Sequence, residues 1–138
     1  MGERSSRSCR FYEMLSKCRS PSPLCPSVAL CVGVADPYVK IWLTHDGKKV
    51  EKKKTLVKEK TLNPEFNDTF AFVVTYDRIR QASLVVSVMD YDRMGRNEPI
   101  GQLVLGAKSG PIEMKHWNEM FAKPRQSVVQ WHLLKHLG

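Results

Sequence analysis

Hydrophobic positions recur with a period of two residues over most of the chain. Val39, Ile41 and Leu43 are separated by single residues of other kinds, which is typical of a half-buried β-strand. The Asp46-Gly47 pair then indicates a tight turn, and the chain returns through residues 50–57. We therefore predict a β-hairpin here.

Four further segments have the composition of strands, and one has the spacing of a helix. The expected strands are residues 66–74, 84–89, 100–105 and 128–134. In residues 111–122, apolar side chains recur at i, i+3 and i+7, Pro111 suits a first turn, and Pro124 ends the pattern. The sequence predicts an all-β antiparallel sandwich with one short helix before the last strand.

The first 31 residues differ in composition from the rest. They are rich in Ser, Pro, Cys and Arg and have no sustained period, so we expect 1–31 to be a disordered segment and 32–138 to be the folded domain. All four cysteines lie in this segment without a C-x-x-C pair, which disfavours a zinc site. We expect a reduced, cytoplasmic chain that has no transmembrane segment and meets membranes only peripherally.

Acidic residues follow the strand that ends near residue 90. Asp90 and Asp92 leave it two residues apart, and Glu98 can fold back beside them. Ca²⁺ prefers such oxygen ligands, although a solvated acidic turn would have the same pattern. An EF-hand is excluded, because the fifth position from Asp90 is Met94 and the twelfth is Gly101.

The net charge of +8, from 22 Lys+Arg and 14 Asp+Glu, is concentrated in residues 48–60, which hold seven Lys and two Glu. A period of two puts Lys52 and Lys54 on one face, and Lys49 and Lys53 on the other. The segment is either a solvated face or a surface for polyanions. No aromatic residue interrupts it, which disfavours nucleic acid and favours anionic lipid headgroups. We find no Ser or Cys nucleophile at a recognisable elbow and expect no enzymatic activity.

Taken together, these motifs resemble the second C2 domain, C2B, of the synaptotagmin family over residues 32–134. The shared motifs are Asp36-Pro37-Tyr38-Val39-Lys40, Lys52-Lys53-Lys54-Thr55, Thr61-Leu62-Asn63-Pro64, Phe66-Asn67, Asp90-Tyr91-Asp92, Ile100-Gly101, His116-Trp117 and Trp131-His132-x-Leu134.

The resemblance implies an eight-stranded C2 sandwich that binds Ca²⁺ and then anionic phospholipid during vesicle exocytosis. It implies Asp36, Asp90, Asp92 and Glu98 as calcium ligands and Met94 as the loop tip that enters the bilayer. Phosphoinositides, SNARE proteins and clathrin adaptors would meet the basic strand, and further partners would meet the opposite end. The implied residues are Lys49, Lys52, Lys53 and Lys54 for phospholipid and Arg125, Trp131 and His132 for partners.

The chain also departs from the family pattern. The first two strands are not recognisable, and Leu30 stands where the family has its first calcium-binding Asp. We therefore expect weakened calcium binding, an incomplete sandwich and self-association through an open edge. Residues 26–34 are the only upstream stretch apolar enough to offer a substitute strand. The alternative function is a calcium-independent adaptor that binds acidic proteins or phosphoinositides through the Lys strand.

Overall fold

The computed structural model describes residues 8–15, 36–61 and 64–135. Within them the chain forms six strands, a short 3-10 helix at Ile79–Gln81 and one α-helix. The strands and the α-helix are β1 Ser8–Leu15, β2 Pro37–His45, β3 Lys48–Lys54, β4 Asp68–Thr75, β5 Ala82–Asp90, β6 Glu98–Gly106 and α1 Pro111–Ala122.

The larger sheet has four antiparallel strands in the order β3-β2-β5-β6. β2 and β3 form the predicted hairpin, and their turn residues Asp46 and Gly47 have φ angles of 50° and 76°. Positive φ at both central residues is the requirement of a type I′ turn, which an Asp-Gly pair satisfies at little cost.

The core lies between this sheet and β4, which pairs with β1 in a separate two-stranded sheet. Alternate residues of β2 and β5, such as Ile41 and Val86, face Phe72 and Val74 of β4 in one buried cluster. The alternation predicted from the sequence therefore identifies the buried faces correctly. The expectation of an all-β antiparallel C2-type fold is confirmed.

The predicted helix is also confirmed, with the same bounds. Pro111 occupies the first turn after Gly110, where its missing N–H costs no hydrogen bond. Trp117 is 3% exposed and belongs to the core, and its ring meets Phe121 edge-on at 5.3 Å between centroids. α1 thus closes the sandwich beside β6.

β1 corrects the expectation of disorder for residues 8–15. It pairs with β4 over all eight residues, from Ser8 opposite Thr75 to Leu15 opposite Asp68. Strand pairing uses backbone groups, so a segment without an apolar period can still complete a ladder. The rest of residues 1–31, including Leu30, and the stretch 26–34 lie outside the described residues. The boundary at residue 31 stays a prediction.

The predicted last strand is not formed. Residues 127–134 contain no strand, and the one bridge in this part of the chain joins Lys135 to Gln102 of β6. Among the described residues, no strand pairs with 128–134. Side-chain packing holds the segment instead. Leu134 packs on the core. It also lies so close to Gly101 of β6 that a Cβ on that glycine would be 2.7 Å from the Leu134 Cβ.

Candidate functional site

The predicted acidic residues lie at one end of the larger sheet. Pro37 at the start of β2 is opposite Asp90 at the end of β5, and Asp90 is opposite Glu98 at the start of β6. Asp36 donates its backbone N–H to Asp90 Oδ1 at 3.0 Å, and its carbonyl accepts the Tyr91 N–H at 2.9 Å. Asp36 and Asp90 are therefore brought together from positions 54 residues apart.

The loop between β5 and β6 is organised by its own polar groups. Asp92 Oδ1 accepts the Met94 N–H at 2.9 Å, while the Asp92 N–H donates to Asn97 Oδ1 at 3.0 Å. Asn97 also donates through Nδ2 to the Tyr38 hydroxyl at 3.0 Å, which ties the loop to β2. Met94 is 87% exposed at the tip. Sequence reasoning overlooked Asn97, although an amide between acidic residues in a turn was an available signal.

The donor chemistry at this end suits a hard cation, because carboxylate, amide and carbonyl oxygens are the ligands that Ca²⁺ takes. The four carboxylates do not yet form one cluster. Asp36 Oδ1 accepts the Lys60 N–H at 2.8 Å, and Asp92 Oδ1 is engaged within its own loop. Across residues 36–61 and 64–135, no three His, Cys, Asp or Glu side chains converge as a metal site.

The lysines of β3 occupy two different faces, and a β-bulge decides which. Lys52 is opposite Trp42, and Lys54 is opposite Lys40. The register then shifts, so that Leu43 is opposite Glu51 but Thr44 is opposite Lys49, which leaves Val50 as an extra residue. An extra residue reverses the side-chain alternation beyond it. Lys49 therefore shares a face with Lys52 and Lys54, and the prediction that it shares a face with Lys53 is wrong.

We call the surface formed by Lys40, Trp42, Lys49, Lys52 and Lys54 the basic face. The Nζ atoms of Lys49 and Lys52 lie 4.8 Å and 5.4 Å from the Trp42 ring centroid, within cation–π range. Burial, followed by repulsion from Lys49 and Lys52, lowers the pKa of Lys40. The sequence pattern did not single out Lys40 and Trp42, although both occupy the outward positions of β2.

Lys53 lies apart from the basic face. Its Nζ donates to the Ala71 carbonyl of β4 at 2.5 Å and lies 5.2 Å from the Phe72 ring centroid. Glu51 Oε1 is 3.5 Å away on the same strand. Lys53 thus bridges the two sheets, and the three consecutive lysines do not form one surface.

The residues expected to bind partners differ in their exposure. Arg125 is exposed and has a φ of 64°, and Trp131 is 64% exposed. His132 is engaged within the chain, because its Nε2 lies 2.7 Å from His116 Nδ1 and the two rings stack at 5.0 Å. Burial first, and the neighbouring His116 second, lower the pKa of His132, while Glu113 acts in the opposite direction.

Comparison with known proteins agrees with this geometry. The sequence model of the C2 domain matches residues 22–127. Synaptotagmin-7 of Mus musculus is 52% identical over 103 residues, which cover 75% of this chain and 26% of that protein. Synaptotagmin-2 of Homo sapiens is 48% identical over 103 residues, which cover 75% and 25%. The chain thus spans about a quarter of the length of these curated relatives.

A solved structure shows the same fold. A C2 domain of plant extended synaptotagmin 1 superposes with a TM-score of 0.54 at 34% sequence identity, covering 72% of this chain and 70% of that one. In the described part of the chain, no helix is both long and apolar enough to span a bilayer.

Proposed function

Because this chain belongs to the C2 domain family and has synaptotagmins among its relatives, we propose that it is a non-enzymatic, calcium-regulated module that binds anionic phospholipid surfaces in vesicle trafficking and exocytosis. The observation that carries the proposal is the convergence of Asp36 and Asp90 at the end of the sheet that also presents the exposed Met94. Carboxylates on loops beside an exposed apolar tip suit a cation that bridges protein and lipid phosphate.

Calcium would be held by Asp36, Asp90, Asp92 and Glu98, and would supply positive charge where the loops meet the lipid. We propose that this binding is weak. Lys60 and Met94 backbone N–H groups already engage oxygens of Asp36 and Asp92, so a cation must compete with those hydrogen bonds. In addition, Leu30 stands where the family pattern has a carboxylate, and affinity in such sites falls with ligand charge.

The basic face supplies a second membrane contact that does not require calcium. Lys40, Lys49, Lys52 and Lys54 are gathered on one side of the β2–β3 hairpin. Each basic residue near an anionic surface contributes about 1 kcal/mol at moderate salt. We therefore propose that phosphoinositide binding persists when calcium is removed.

Sedimentation with liposomes tests both contacts. Wild-type chain and an Asp90→Asn, Asp92→Asn variant are mixed with phosphatidylserine liposomes in Ca²⁺ or in a chelator. Glu119→Gln on α1 is the control, because it neutralises a carboxylate away from these loops. We expect a Ca²⁺-dependent increase in bound wild type and control, and none in the double variant. Equal binding of all three chains under both conditions would contradict the calcium-regulated function.

The basic face also favours the second candidate function, a calcium-independent adaptor that binds acidic proteins. Repulsion among its lysines would be relieved by an acidic peptide as well as by a lipid phosphate. Binding to SNARE proteins and clathrin adaptors, and partner binding through Arg125, Trp131 and His132, remain proposals. Capture of an acidic peptide in the presence of chelator, with no binding to anionic liposomes, would favour the adaptor.

A further inference from the structure

We infer that Trp42 is a positioning residue of the basic face, and that its indole ring gathers Lys49 and Lys52 into a site selective for headgroups with more than one phosphate. The inference rests on the proposed binding of anionic lipid. It goes further by assigning the arrangement of the ammonium groups to a residue that carries no charge.

The register of the hairpin places Trp42 at the centre of the lysines. Lys52 is directly opposite Trp42, and Lys40 and Lys54 form the next pair on the same face. Lys49 joins them only because the bulge at Val50 reverses the alternation. Four lysines therefore share one face of the hairpin with a single aromatic side chain.

The ring is the feature that holds two of these groups in place. The Lys49 and Lys52 Nζ atoms lie 4.8 Å and 5.4 Å from the ring centroid, where the negative π-face attracts a cation. Trp42 Nε1 is buried and makes no hydrogen bond within the described residues. Among the described residues, packing and the two ammonium groups are therefore what orient the ring.

The resulting charge is concentrated enough to discriminate among anions. Lys40 is partly desolvated, and repulsion from Lys49 and Lys52 further lowers its pKa. An anion that neutralises several lysines at once relieves this repulsion, whereas a headgroup with one charge reaches fewer of them. A bisphosphorylated headgroup should thus benefit from the arrangement more than phosphatidylserine does.

The test compares Trp42→Leu, Trp42→Phe and the control Tyr76→Leu, which removes an exposed aromatic side chain outside the hairpin. All chains are titrated in chelator with vesicles containing phosphatidylinositol bisphosphate, with phosphatidylserine vesicles and with soluble inositol trisphosphate. We expect Trp42→Leu to weaken binding to the bisphosphate vesicles about fivefold, from the loss of two cation–π contacts, with little change for phosphatidylserine. Trp42→Phe and the control should keep most of the selectivity.

The titration with soluble inositol trisphosphate shows whether the site recognises the phosphates alone or the headgroup in a lipid surface. A parallel loss for inositol trisphosphate assigns the site to the phosphates themselves, and a loss confined to vesicles assigns it to the headgroup at the lipid surface. In both cases Trp42 positions the lysines.

Pairing with Lys49→Ala distinguishes positioning from a general effect on folding. If Trp42 acts through Lys49, the double variant Trp42→Leu, Lys49→Ala binds the bisphosphate vesicles more tightly than the two single losses combined would predict. An unchanged ratio of bisphosphate to phosphatidylserine affinity in Trp42→Leu overturns the inference while leaving the proposed function intact. Failure of the wild type to bind any anionic vesicle overturns the proposed function itself.

Should Trp42→Leu unfold, Trp42→Met takes its place as a second variant without a ring. The inference requires Trp42→Met and Lys49→Ala to lose selectivity and Trp42→Phe to retain it. Selectivity retained in Lys49→Ala contradicts it.

Discussion

At the residue scale, neighbours in the Lys52-Lys53-Lys54-Thr55 motif have unrelated tasks. Lys52 and Lys54 lie on the basic face, whereas Lys53 reaches across to β4. Thr55 is buried and continues the pairing just beyond β3: its N–H donates to the Val39 carbonyl, and its Oγ1 accepts the Val39 N–H, both at 2.9 Å. The four residues of this motif therefore have three different environments: the exposed basic face, the contact between the two sheets, and the buried interior.

Replacing Thr55 tests the structural part of this division. Thr55→Val keeps the shape but leaves the buried Val39 N–H without its acceptor, so we expect the free energy of unfolding to fall by about 1–3 kcal/mol. Thr55→Ser retains the hydroxyl oxygen and should lose less. Urea denaturation followed by circular dichroism measures both. A Thr55→Val chain as stable as the wild type would show that the hydrogen bond contributes nothing.

At the element scale, the sequence predicted those features that depend on side-chain burial. The apolar alternation of β2, β4, β5 and β6 and the helical spacing of α1 reflect one buried face each. The bulge at Val50 escaped prediction because it depends on how β3 pairs with β2 and not on β3 alone. β1 escaped for a similar reason, since its backbone pairs with β4 without an apolar period.

The candidate site was predictable to the same extent. The loop carboxylates stood out because their spacing places them at a strand end, and the structure does bring Asp36 to Asp90. The contributions of Trp42 and Asn97 depend on a register and on a loop conformation. Neither can be read from spacing along one strand.

The pair formed by His116 and His132 joins α1 to the C-terminal segment. The Val128 carbonyl, 3.1 Å from His116 Nε2, can only accept, so this nitrogen carries a proton. In the neutral pair, His132 Nε2 then donates to His116 Nδ1. His132 Nδ1 is buried without a partner among the described residues. Protonating His132 would therefore create a buried N–H that has no acceptor.

This geometry predicts a loss of stability in mild acid. The pKa of His132 lies below the ordinary value of 6.5 in the folded chain. As the pH falls, His132 therefore becomes protonated at a higher pH in the unfolded chain than in the folded chain. The free energy of unfolding should then decrease as the pH falls from 6.5 toward the lowered pKa, and the full contribution is present above 6.5.

The measurement is denaturation across that pH range for the wild type, for His132→Gln and for the control His45→Gln. We expect His132→Gln to remove part of the pH dependence and the control to retain it. A wild-type chain whose stability follows the same pH curve as His132→Gln would contradict this assignment of the proton.

At the scale of the whole molecule, the two sheets contribute unequally to the core. Four strands form one layer, and the described strands of the other layer are β1 and β4. β4 carries Phe72 and Val74 in the core. Its backbone is paired by β1 over the whole of Asp68–Thr75, so the order of this layer depends on a segment outside the recognisable C2 motifs.

Removing residues 1–15 should therefore destabilise the fold beyond the segment removed. β4 would then lose the one strand that pairs with it among the described residues, and exposed edges invite pairing with another chain. We expect the shortened chain to have a lower unfolding midpoint, to bind a hydrophobic dye and to associate in light-scattering chromatography, whereas a chain lacking only residues 1–7 keeps β1 and serves as the control. If the chain without residues 1–15 remained a monomer with the unfolding midpoint of the control, β1 would be dispensable. The second layer would then be held by side-chain packing alone, and the expectation of association through an open edge would have to be abandoned.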